Sequence, residues 1–89
     1  MNDFLITRIK QETEYFYYWS LTASKQIKDG EIAMYATLVA SEHASEIEKL
    51  RAILRDRDND IVEAINWNKI AHDAHSVAKA RLLNETKDE

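Results

Sequence analysis

Glu12, His43, Asn68 and His75 each interrupt an otherwise apolar stripe of helical period, and imidazole and carboxylate groups are what this chain has for chemistry. Glu46 lies one turn from His43, and His72 lies three residues before His75. Two or three imidazoles with one or two carboxylates inside a helical bundle suit Zn or Fe. One reading of His43, His75, His72, Glu46 and Glu12 is therefore a metal site. The competing reading is a buried, hydrogen-bonded layer that fixes helix register, as a polar residue does at a coiled-coil core position. A third leaves His72 solvated on a flank with Lys79 and Ile65. The register layer is the leading expectation, with no cofactor.

Other chemistry is poorly served. The chain has no cysteine, which removes disulfides, thiolate metal sites and cysteine nucleophiles. No Gly-rich phosphate loop, strained nucleophile turn or paired acid motif accompanies the serines and histidines, so the expectation is a protein that is not an enzyme. The segment ETEYFYYW followed by SEHASEIEKL faintly resembles the first two helices of ferritin-like di-iron proteins. There a Glu on helix one meets a Glu-x-x-His on helix two. Here Ala40 stands three residues before His43, the bridging carboxylate is absent, and the likeness is not adopted.

The elements that must position these residues are helices. One Gly and no Pro in 89 residues argue for long helices with few joints. Asn2 or Asp3 can cap a first helix over about 3–28, and Asp29-Gly30 supplies a left-handed stop. A second helix spans about 31–57. Asp60 followed by Glu63 reads as a capping-box variant, with Asn59 in the left-handed turn, before a third helix over about 60–84. The rival is one continuous helix from Glu31 to Leu83, and residues 85–89 are expected to fray. The expected fold class is all-α: a single domain over 1–89, an antiparallel three-helix bundle of coiled-coil character, completed by dimerisation if the monomer is underfilled.

Three stripes follow. The first runs through Leu5, Ile9, Glu12, Phe16, Trp19, Ala23 and Ile27. The second runs through Ile32, Ala36, Val39, His43, Ile47, Leu50 and Leu54. The third runs through Ile61, Ala64, Asn68, Ala71, His75, Ala78 and Leu82. Antiparallel pairing sets His43 at the level of His75 and places Glu12 about one turn away.

The run YFYYW, residues 15–19, exceeds what one stripe can absorb, because consecutive residues turn by about 100°. Phe16 and Trp19 fall on the core side and Tyr15 at its border, while Tyr17 and Tyr18 point outward. Met34 and Leu38 lie opposite His43 on the second helix. Tyr17, Tyr18, Leu21, Met34 and Leu38 are thus expected to form one aromatic and aliphatic docking patch.

A net charge of −4 leaves no basic footprint for nucleic acid, despite Lys69, Lys79 and Arg81 on the last helix. No apolar run approaches the roughly 20 residues that cross a bilayer, and the N-terminus lacks a signal-peptide core, so a cytoplasmic setting is expected. The functional expectation is a small interaction module, an inhibitor or adaptor of the type that phages and plasmids often encode. Its partner is another protein, or itself as a homodimer, and neither nucleic acid nor membrane.

Overall fold

The computed structural model describes residues 2–25 and 30–87. They form four helices: α1 (Asn2–Lys25), α2 (Gly30–Arg57), α3 (Asn59–Ala64) and α4 (Trp67–Lys87). The chain is all-α, with no strand among the described residues. Charges sit where the helix dipoles favour them: Asp3 and Glu31 in first turns, and Lys25, Arg55 and Arg57 in last turns. The expected end of the first helix near residue 28 lies outside the described residues. Gly30 opens α2, and no described residue has a positive φ, so the left-handed stop expected at Gly30 is not formed there.

The break after α2 falls where expected, which excludes one helix from Glu31 to Leu83, but a different residue makes it. The Asp58 amide donates to the Leu54 carbonyl at 2.8 Å and closes α2. The Asp58 carboxylate then accepts from the Ile61 amide at 3.1 Å and caps α3. Asn59, expected in a left-handed turn, is helical, and Asp60 sits inside the first turn. A second break was not foreseen. Ile65 is extended, with φ −74° and ψ 129°. The Asn66 side chain accepts from the Lys69 amide at 3.1 Å, restarting the helix as α4. The expected third helix is thus two helices, and its stripe changes phase between them. Ala64 and Asn68 are exposed, while Val62, Ala74 and Ala78 are buried.

Packing is centred on α1. It approaches α2 closely along one side and α4 along another, whereas the backbones of α2 and α4 make no such approach among the described residues. The lower end is aliphatic. Leu5 and Ile9 of α1 meet Leu50 and Leu54 of α2 and Val62 of α3, flanked by Ile6, Ile47, Ile65 and Trp67. Ile9 and Leu54 are fully buried, each contributing about 1.5–3 kcal/mol through loss of apolar surface. The Arg51 guanidinium lies 4.2 Å from the Trp67 ring centre and covers this end.

The upper half is built differently. Ala36 and Ala40 on α2, and Ala74 and Ala78 on α4, are buried. Each pair is four residues apart, so each forms a small-residue face. These faces let α2 and α4 approach an α1 whose side chains here are large. That settles where YFYYW goes. A central helix with partners on two sides needs apolar rings around more than one arc, and Phe16, Tyr17, Tyr18 and Trp19 are all partly covered.

Candidate functional site

The polar residues of the α1–α2 seam form one cluster. Glu12 of α1 and His43 of α2 meet with Glu12 Oε2 at 2.5 Å from His43 Nδ1. Both side chains are largely covered, at 12% and 25% exposure. Arg8, one turn before Glu12, donates to Glu12 Oε1 at 3.4 Å and reaches Glu46 at 4.0 Å. The Tyr15 ring lies over the imidazole, with centres 5.3 Å apart. Each acid therefore has a cation beside it, and the cluster joins α1 to α2 as a register-fixing polar layer would. Among the described residues, no serine or threonine hydroxyl hydrogen-bonds His43.

His75 is at the expected axial level but on the other side of α1. Its ring packs edge-on against Tyr17 at 5.2 Å, while His43 packs on Tyr15. Those two tyrosines are two residues apart, about 200° around the helix, so α1 stands between the imidazoles. His72 is 80% exposed, with Asp73 at 3.9 Å. Asn68 is exposed. Of the residues read as metal ligands, the structure brings together Glu12, His43 and, through Arg8, Glu46. No group of three or more His, Asp or Glu among the described residues is placed to hold a metal ion.

The expected docking patch divides. Tyr17, Tyr18 and Leu21 do not face outward; they form the α1–α4 seam. Tyr17 meets His75. Tyr18 donates to Glu85 at 2.5 Å, and the Arg81 guanidinium sits 4.7 Å from its ring centre. The hydrogen bond to Glu85, with burial and the nearby negative charge, pushes the Tyr18 hydroxyl above the usual phenol range. Leu21 lines an apolar hollow of about 250 Å³ with Leu82, Leu83 and Lys79. The outward assignment failed because it assumed that one side of α1 is solvated, whereas α4 covers it.

Met34 and Leu38 keep the expected position on the outer face of α2, at 76% and 61% exposure. They border a shallow groove of about 450 Å³ that runs from Gly30 to Ser41. Tyr35, 59% exposed, extends this surface, its ring edge-on to Trp19 at 5.8 Å. Sequence reasoning passed over Tyr35, although its place between Met34 and Leu38 was a usable signal.

Protein-family models, curated proteins and solved structures were all compared with this chain. None matches. No helix among the described residues is long and apolar enough to cross a membrane.

Proposed function

We propose that this chain is a small, non-enzymatic interaction module, an inhibitor or adaptor that docks the outer face of α2 on a protein partner. The observation that carries this reading is the exposure of Met34 and Leu38, with Tyr35 beside them, on one uncharged stretch of α2. Contiguous exposed apolar surface of this kind marks contact sites more often than chemistry. On this reading α1, α2 and α4 form an up-down-up bundle left open between α2 and α4, in a cytoplasmic protein. The polar seam of Glu12 and His43 then serves to hold α2 rigid against α1, so that its outer face is presented in one orientation.

The test is the double substitution Met34→Ser with Leu38→Ser. Both side chains point away from the core, so helical circular dichroism should be retained while association is lost. Loss of helicity in the double variant would show these side chains to be structural and would sink the reading.

A further inference from the structure

The occupant of the α2 face can be specified, an inference that rests on the interaction reading above. We propose that a second copy of this chain binds there, its α2 antiparallel to the first, about a two-fold axis that crosses the helix at the level of residue 43. Exposed residues recur alternately three and four apart along this face, from Glu31 through Met34, Leu38, Ser41 and Ser45 to Ala52 and Arg55. That is the spacing of a coiled-coil seam, on the side of α2 away from α1, sustained over about 36 Å at 1.5 Å per residue.

The seam has holes as well as knobs. A recess of about 170 Å³ is lined by Glu48, Arg51, Ala52 and Arg55. Those positions stand in the i, i+3, i+4, i+7 relation of a coiled-coil hole. Near the other end of the face, the groove beside Met34 and Leu38 includes a second such set, Gly30, Ala33, Met34 and Thr37. Pairing centred at residue 43 sends Met34 of each copy into the other's recess around Ala52. It returns Ala52 to the hole beside Met34. The same register lays Leu38 along the stem of Glu48 and sets Ser41 against Ser45 close to the axis, where small residues permit near approach.

Charge selects this direction. Glu31 of one copy falls beside Arg55 of the other, and the two-fold makes the contact twice. No ion pair among the described residues engages either side chain. A parallel pairing would instead bring Glu31 to Glu31 and Arg55 to Arg55, repulsive at both ends. Glu42 flanks its own copy near the axis and opposes the antiparallel register, from the edge of the seam. Phe4, Val77 and Leu83, also exposed, lie on other helices. None of them extends the α2 surface.

Light scattering coupled to size exclusion, with sedimentation equilibrium for the dissociation constant, tests the pairing on the intact chain. The native protein should give twice its 10.4 kDa mass at high concentration and dissociate on dilution. Glu31→Arg and Arg55→Glu should each weaken the dimer roughly tenfold, since each turns two attractive contacts into two repulsive ones. The double charge reversal should restore it. In addition, Ser41→Cys and Ser45→Cys chains mixed under oxidation should cross-link to each other more readily than either does to itself. A dimer indifferent to the charge reversals, or one that single reversals weaken and the double reversal does not restore, overturns the antiparallel register. A monomer at all concentrations overturns self-pairing. If that monomer still loses a heterologous partner on Met34→Ser with Leu38→Ser, the interaction reading stands without it; if no partner depends on those residues, both fall.

Discussion

Glu12 and His43 meet at 2.5 Å across the α1–α2 seam, while Arg8 holds the other oxygen of the same carboxylate at 3.4 Å. The Glu12 carboxylate is the more enclosed of the pair, so removing its partners leaves charge in a partly desolvated place. His43→Ala should lower stability by about 1–2 kcal/mol, which includes the lost cover over Tyr15. His43→Phe keeps the ring and should lose less if packing dominates. A double-mutant cycle with Glu12→Gln, followed by urea unfolding, separates the two contributions. A coupling below about 0.3 kcal/mol would mean that the contact is geometric and not energetic.

Tyr18 and Glu85 give α4 a pH-dependent tie to α1. The Tyr18 hydroxyl is the donor, and the fold raises its pKa above the ordinary phenol value of about 10. A raised pKa means that the native state favours the neutral phenol. The contribution is therefore complete below the unfolded pKa and is lost as pH climbs through the folded one. Comparing the urea midpoints of native and Tyr18→Phe proteins should show a constant advantage for the native chain from neutral pH to about 10. That advantage should shrink above it. Equal midpoints at all pH values would remove the hydrogen bond from any role in stability.

The helical class, the α2 stripe and the break after Arg57 were legible because each has a local cause: few breakers, a period of 3.6, and a cap residue at a joint. Glu12 and His43 were legible as members of one polar cluster for the same reason, since antiparallel pairing of two long helices sets their approximate level. The expected register held them about one turn apart, whereas they meet directly. What sequence could not supply was azimuth. His75 lies at the expected height yet behind α1, and Tyr17 and Tyr18 lie under α4. Which side of a central helix a third helix takes depends on the joint, and that joint held an unforeseen turn. Asn66 followed by Lys69 carried the cap signal, but the Ile61 to Leu82 stripe fits a continuous helix so well that it masked the break.

The alanine faces should tolerate little enlargement. Ala36 is fully buried and Ala78 nearly so, each on the side of its helix that meets the aromatic stretch of α1. Ala36→Leu and Ala78→Leu should each destabilise by about 1–3 kcal/mol, because the added volume forces the helices apart. Ala80→Leu, at an exposed position of α4, should be close to neutral for folding. A thermal-unfolding comparison of the three variants checks this. Neutral behaviour at Ala36 or Ala78 would mean that these seams are loose enough to take a larger side chain.

The two polar caps between α2 and α4 govern a connection that neither neighbouring sequence would make unaided. A helix as short as Asn59–Ala64 does not hold itself together in water, so α3 depends on Asp58 and on Val62 packing against Leu54. Asp58→Ala should cost about 1 kcal/mol and speed hydrogen exchange at the Ile61 amide, which loses its acceptor. Asn66→Ala should have a smaller effect, since that cap is exposed, and should speed exchange at Lys69. If Asn66→Ala instead raises helicity and slows exchange at both amides, α3 and α4 have fused into one helix. That outcome would show that the Asn66 cap, and not the packing of Ile65 and Trp67, is what holds the break open.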